Sequence, residues 1–390
     1  MHILYIISPG GGPEAYTKII SPWLLKKGHS VSIIFVTGPK QQKLIYPEDV
    51  NVYYVSPTKY HYYLSKVLGG FRNWPLRLRS VESERAVRKV LKRIDSTSTI
   101  DLIEVTEDYP VSWLSKRRPV LVRAHGSAWA FRDQCQDGDR TYDSFLVNQA
   151  SKQFSLAGKV SPLSRDYAKT LSEICDLPMD AFSPIPYPID THIFSPEGEA
   201  AELQGKPVLM SIGRLEHRKG TDVLVRSMNR VWEEFQDARL LLLGKLAGFT
   251  KDDLLSLVPE SKRDQIVFPG FIEHSKIPAY LRAVDLYLTP TQYETLGYTI
   301  LEAMACGKAV ISCNVGAVPE LISHGENGLL VPFGDHERLS GAIIKLLKDQ
   351  KLRSELEAAA RKKAEQYRMS VICPQFETLY KSTIKNWSKG

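Results

Sequence analysis

Arg214 and Lys219 lie in the stretch Gly213-Arg-Leu-Glu-His-Arg-Lys-Gly220. The apolar run from Val208 to Ile212 precedes them, and Val223, Leu224 and Met228 follow at helical spacing, so the stretch reads as a loop from a strand into a helix. Arg offers a planar fork of donors and Lys a point charge, and a helix N-terminus adds about half a positive charge. Together these hold phosphate; a solvated basic loop is the alternative. Further along, Glu294-Thr-Leu-Gly-Tyr-Thr-Ile-Leu-Glu302 runs into Ala303-Met-Ala-Cys-Gly307. The spacing of Leu301, Met304 and Ala305 and the stop at Gly307 predict a helix that carries Glu302, with Glu294 on the loop before it. A carboxylate accepts paired hydrogen bonds from vicinal hydroxyls, which ribose and hexose present. Carboxylates also support helix N-termini, which accounts for Glu294 but not for the deeper Glu302.

Such groups need strands and helices to aim them. Ile3 to Ile7 form an apolar run, Ser8-Pro-Gly-Gly-Gly-Pro13 breaks it, and Tyr16, Ile19, Ile20, Trp23 and Leu24 recur at helical spacing up to a C′ glycine, Gly28. Ser30 to Val36 then completes a β-α-β unit. The same grammar returns from Val208, with further strands at Leu240–Leu243, Ile266–Phe268, Asp285–Thr289 and Ala309–Ser312. Apolar runs alternating with helical segments predict an α/β fold of two Rossmann-like, doubly wound domains with parallel sheets, facing across a cleft. Proline density rises from Ser183 to Asp190, and hydrophobic periodicity lapses to Ala200, so the division is 1–190, 200–370 and a tail, 371–390. From Leu352 to Lys389 the tail reads as helix, with a breaker near Pro374 that lets the last segment return to the first domain. His125 ends the run Val120-Leu-Val-Arg and precedes Gly126-Ser127; it is either a packing histidine or a site residue.

The chain has 390 residues, 43% hydrophobic and 24% charged, which suits two globular domains and excludes a fibrous or disordered chain. No stretch approaches the roughly 18 apolar residues of a membrane span, and the start lacks the marks of a leader, so a cytoplasmic location is expected. Cys135, Cys175, Cys306, Cys313 and Cys373 form no C-x-x-C and read as reduced packing residues. The net charge is +7, yet residues 59–93 alone carry ten Lys and Arg against two Glu, interleaved with Tyr60, Tyr62, Tyr63, Phe71 and Trp74. That pattern suits an anionic lipid surface or a phosphorylated, lipid-linked acceptor; over 80–94 it also fits a solvated helix face. No reader of nucleic acid is recognised, and Gly10-Gly11-Gly12 is not the dinucleotide fingerprint.

Gly213-Arg-Leu with Lys219-Gly220, Glu294 with Glu302-Ala-Met-Ala-Cys-Gly, and Gly316-Ala-Val-Pro-Glu320 with Gly325 and Gly328-Leu-Leu-Val resemble the retaining nucleotide-sugar glycosyltransferases of family 4, over roughly 205–370. In the first half the similarity is confined to Gly10-Gly-Gly-Pro-Glu14, Gly28-His-Ser-Val31 and His125-Gly126. The resemblance implies a GT-B fold, with the N-terminal domain on the acceptor side and the nucleotide sugar on the C-terminal domain. It assigns the diphosphate to Arg214 and Lys219, donor-sugar hydroxyls to Glu294, and the ribose to Glu302. His125 would lie near the reacting carbon, Gly10, Gly11 and Gly12 near the phosphates and acceptor, and the backbone at Ile272 against the base. Thr295, Leu296, Gly297 and Tyr298 would complete the donor site. Two departures stand out: Glu294-Thr-Leu-Gly297 replaces Glu-Gly-Phe-Gly, which bears on donor-sugar identity, and Pro186-Tyr-Pro-Ile-Asp190 replaces Pro-Asn-Gly-Val-Asp, read here as a stiffer hinge.

The expected activity is transfer of a sugar from a uridine or guanosine diphosphate donor to a hydroxyl acceptor (sugar, glycan or lipid-linked), with retention, in glycan, glycolipid or cell-envelope polysaccharide synthesis. Neither cofactor nor metal is expected. Asp137-Gly-Asp139 spells the D-x-D of metal-dependent transferases of another fold, but it lies in a polar stretch suited to turns. An inactive sugar-nucleotide-binding partner and an epimerase or phosphorylase of the same fold are the alternatives.

Overall fold

The computed structural model describes residues 1–9, 11–36, 44–56, 74–107, 109–127, 130 and 140–387, without the side chains of 74–81 and 140–145. Gly10, Cys135, Asp137, Asp139 and the basic residues from Lys59 to Arg72 lie outside the described residues, as do the side chains of Arg77 and Arg79. The chain divides into two units: Met1–Arg132, Asp137–Pro188 and Ser370–Gly390 in one, and Ile189–Met369 in the other.

The first unit holds a six-stranded parallel sheet of β1 (His2–Ile7), β2 (Ser30–Val36), β3 (Val50–Val55), β4 (Leu102–Thr106), β5 (Val120–Ala124) and β6 (Lys159–Pro162). Its order is β3-β2-β1-β4-β5-β6. The second unit repeats the plan with β7 (Val208–Ile212), β8 (Arg239–Leu243), β9 (Ile266–Gly270), β10 (Leu286–Thr289), β11 (Ala309–Cys313) and β12 (Leu329–Val331), ordered β12-β11-β10-β7-β8-β9. Counted within its own unit, each sheet runs 3-2-1-4-5-6, the doubly wound order, in which ligands are bound beyond the carboxyl ends of the two central strands where the winding reverses. Those strands are β1 and β4 in one unit and β7 and β10 in the other.

Burial follows from this plan. In the second unit Leu209, Leu240, Leu242, Leu286, Leu288 and Ile311 pack into one apolar cluster, and Val208, Met210, Leu241, Leu243, Tyr287 and Val310 into another. Successive strand residues thus serve opposite faces, and both faces are covered, as parallel strands require. Sequence reading passed over β4 as well as the alternating β3 and the short β6, whose apolar runs are weaker.

Two helix ends differ from expectation. The first helix spans Gly11–Lys26, so Gly11, Gly12 and Pro13 form its opening turn rather than a loop; proline is tolerated there because first-turn N–H groups have no helical partner. Pro374 breaks nothing. It lies inside the last helix, Met369–Trp387, and the chain turns at Arg368, whose backbone is extended (φ −60°, ψ 155°). One ladder hydrogen bond is lost at Pro374, and burial of Ile372, Cys373, Phe376 and Tyr380 outweighs it. Cys175, Cys306, Cys313 and Cys373 are free and buried. Among the described residues no helix is long and apolar enough to cross a membrane, and no group of His, Cys, Asp and Glu is arranged to hold a metal.

Candidate active site

Beyond β7 the chain forms a single 3-10 turn, His217–Lys219, and enters the helix Thr221–Glu234 at Gly220. Gly220 has φ +65°, and a Cβ there would fall onto the carbonyl of Pro290, so the loop after β7 lies directly on the loop after β10. Hydrogen bonds lock the two together. The Gln292 amide and the Thr291 hydroxyl donate to the Arg218 carbonyl (2.8 and 3.1 Å), and the Arg218 guanidinium donates to the Tyr293 carbonyl (3.2 Å). This stitching brings Lys219 to Glu294, and its ammonium donates to Glu294 Oε1. The pair is largely enclosed, with side chains 22% and 13% exposed. Arg214, 65% exposed, meets Glu216 at 3.1 Å, and Glu216 also accepts from Arg218 at 2.9 Å.

Glu294 is fixed from behind, because its carbonyl accepts from the Ala317 amide (2.9 Å). Thr295, the buried Leu296 and Gly297 lead into the helix Tyr298–Ala305, whose N-cap is Gly297. Glu302 is on that helix and buried, and His274 Nε2 stands 2.5 Å from its Oε1. Burial pushes the Glu302 carboxyl above its usual range, and His274 opposes the shift. His274 follows β9, just past Ile272, which packs half-buried against the apolar cluster beneath. Arg214, Lys219, Glu294, Thr295, Leu296, Gly297, Tyr298, Glu302 and Ile272 therefore all belong to loops and helix starts beyond carboxyl strand ends of the second unit.

Gly11, Gly12 and His125 belong to the first unit. His125 follows β5, and one buried carboxylate, Glu107 beyond β4, holds the turn: its oxygens accept from the amides of His125 and Gly126 (both 2.8 Å) and from the Ser127 hydroxyl (3.1 Å). His125 Nδ1 is hydrogen-bonded to the Tyr187 hydroxyl. Burial, reinforced by the positive charge of Arg123, holds the imidazole well below its usual pKa and therefore neutral at pH 7. Arg123 is fully buried; it donates to the Ser161 hydroxyl (2.5 Å) and to the Ile185 carbonyl, and lies against the rings of Tyr16, Tyr187 and Phe376. Behind it the Tyr380 hydroxyl, on the last helix, donates to Glu104 (2.8 Å), whose carboxyl burial pushes up to about 7.

Sequence reasoning missed Glu107, Tyr187, Glu216, Arg218 and His274. Glu107 and His274 did carry a signal, since each closely follows the end of a strand.

Residues 197–363 match the family described as glycosyl transferases group 1. N-acetyl-alpha-D-glucosaminyl L-malate synthase of Bacillus anthracis is 32% identical over 189 residues, 48% of this chain and 48% of that protein. The chain spans about half the length of the curated relatives it matches. Sucrose-phosphate synthase from Thermosynechococcus elongatus superposes with a TM-score of 0.79 at 21% identity, covering 97% of this chain and 98% of the other. The Anabaena protein HepE, solved in complex with UDP and glucose, superposes with a TM-score of 0.70 at 19% identity, over 97% and 98%. The fold class of two parallel α/β units is thus of the GT-B type. Residues 197–363 constitute a glycosyl transferases group 1 domain.

Proposed function

We propose that this chain is a retaining glycosyltransferase of family 4 that moves a sugar from a uridine or guanosine diphosphate donor to a hydroxyl of a sugar, glycan or lipid-linked acceptor, with neither metal nor cofactor. The observation that carries this reading is the meeting of Lys219 and Glu294 beyond the central strands β7 and β10, with Arg214 on the same loop and Glu302 on the following helix. Breaking the bond between the anomeric carbon and the phosphate oxygen leaves positive charge on carbon and sends the electron pair to the diphosphate. Lys219 and Arg214 stabilise that departing charge, the work a metal ion does in other enzymes. The acceptor oxygen attacks the face the diphosphate leaves, and its proton passes to the departing phosphate, which yields retention. Glu294 holds donor-sugar hydroxyls, Glu302 the ribose, the backbone at Ile272 the base, and Gly11 and Gly12 the phosphate side of the acceptor pocket. His125, neutral, offers a hydrogen bond near the reacting carbon.

The products belong to glycan, glycolipid or envelope polysaccharide synthesis. The protein works in the cytoplasm, and the basic segment 59–93 rests on an anionic membrane face. Pelleting with anionic but not neutral vesicles is the expected result; equal pelleting removes the membrane from the reading.

The test of the activity is a melting panel with uridine, guanosine, adenosine and thymidine diphosphates, on the parent and on Glu302→Ala. A ligand at about a hundred times its Kd adds roughly 2.7 kcal/mol. One base should raise the parent's melting temperature and raise the variant's less, and the matching nucleotide sugar should release its diphosphate in excess chelator. A panel without any shift overturns the assignment.

A further inference from the structure

Tyr187 occupies the linker position where the sequence departs from its resembled pattern, and its surroundings suit a more specific task than stiffening a hinge. Its ring stacks on Tyr16, with centroids 5.3 Å apart and planes at 17°, and is fully enclosed. Gly12 makes room for it: a Cβ on Gly12 would lie 2.9 Å from the Tyr187 hydroxyl and 3.1 Å from Cε2. The stacked ring can point its hydroxyl in few directions, and the hydroxyl meets His125 Nδ1. Glu107 holds the same histidine by its backbone amide, so ring and main chain of His125 are fastened from two sides. Arg123, 5.5 Å from the centre of the Tyr187 ring, disfavours a second positive charge there.

A neutral imidazole has one N–H and one acceptor nitrogen, and a hydroxyl, which can donate or accept, pairs with Nδ1 in either tautomer and holds the ring in one of them. We infer that Tyr187 is a positioning residue: its hydroxyl, bonded to Nδ1 of His125, holds the ring in one orientation and one tautomer. The consequence for catalysis rests on the proposed transferase reading, in which His125 stands beside the donor sugar; the tautomer itself does not.

Tyr187→Phe separates the two aspects, because Phe keeps the stack on Tyr16 and the fit against Gly12 and removes only the hydroxyl. In ¹⁵N-histidine-labelled protein, with His125→Gln identifying the signal among nine histidines, the parent should show a single tautomer and Tyr187→Phe a mixture. Release of UDP from UDP-glucose, or of GDP from GDP-mannose, should show kcat lowered roughly 3- to 10-fold in Tyr187→Phe, the scale of one hydrogen bond, with KM for the donor within about twofold of the parent. An unchanged tautomer in Tyr187→Phe overturns the positioning role, and so does a changed tautomer with unchanged kcat. If the parent releases no diphosphate from either donor, the transferase reading fails while the tautomer still decides whether the hydroxyl governs the ring.

Discussion

The two units share one strand order, and their carboxyl strand ends are furnished in opposite ways. In the second unit the charged groups answer one another at short range, from the exposed Arg214 with Glu216 to the largely enclosed Lys219 with Glu294. In the first unit the group at the strand end is a neutral imidazole, and the charges lie inside, where Arg123 and Glu104 are fully enclosed. Exposed pairs such as Arg214–Glu216 are weakly held and change partners at little cost, which suits a side chain proposed to turn to a diphosphate. Enclosed charges tolerate no loosening, because each carries a desolvation penalty that only its partners offset. One surface is built to exchange contacts, the other to hold a single arrangement.

The contrast is broken most directly at Arg123. Arg123→Met leaves Glu104 enclosed without its cation and the carbonyl of Ile185 without its donor, and should cost about 3–5 kcal/mol in urea denaturation; a loss below about 1 kcal/mol would show that the first unit is not held from within. Lys219→Ala should lower diphosphate release about 10²–10³-fold, as removal of one preorganised donor does. Unchanged turnover would sink its assigned role. Tyr380→Phe, which deprives Glu104 of a donor, should cost about 1–3 kcal/mol by the same denaturation assay.

A finer probe is pH. The Glu104 carboxyl is held near 7 in the folded chain against 4.5 ordinarily, so between these values the folded chain binds a proton that the unfolded chain releases. Its contribution to stability is complete below about pH 4.5 and is lost as pH rises to about 7. Glu104→Gln should abolish that decline, so the difference in urea midpoint between parent and variant should change from pH 5 to 7 and stay level above pH 8. Parallel curves would place the carboxyl in contact with water. The smallest effect belongs to the exposed pair Arg230–Glu337, where Arg230→Ala should shift stability by less than about 0.5 kcal/mol.

What could be read in advance tracks distance along the chain. The loop after β7 and the loop after β10 each announce themselves in a few consecutive residues, since a strand end, a glycine and a charged side chain are neighbours in sequence. Even so, the sequence showed Lys219 and Glu294 only as members of two motifs, and it is the Gly220–Pro290 contact between loops that pairs them. The first unit was less legible. Glu107 and His125 come from β4 and β5, Tyr187 from a linker far downstream, and Tyr380 from the last helix, and no local spacing links them. Pro374 misled because the preference of an isolated proline was weighed without the burial that overrides it.

The sequence alone determined the alternation of apolar runs and helical spacing, and so the two parallel α/β units, because hydrophobic periodicity is a local property that burial enforces. It also named the groups proposed to meet phosphate and hydroxyls. Tertiary structure alone decided which of them pair, that Glu302 leans on His274, and that His125 is neutral, because desolvation and hydrogen bonding depend on atoms brought together from distant parts of the chain.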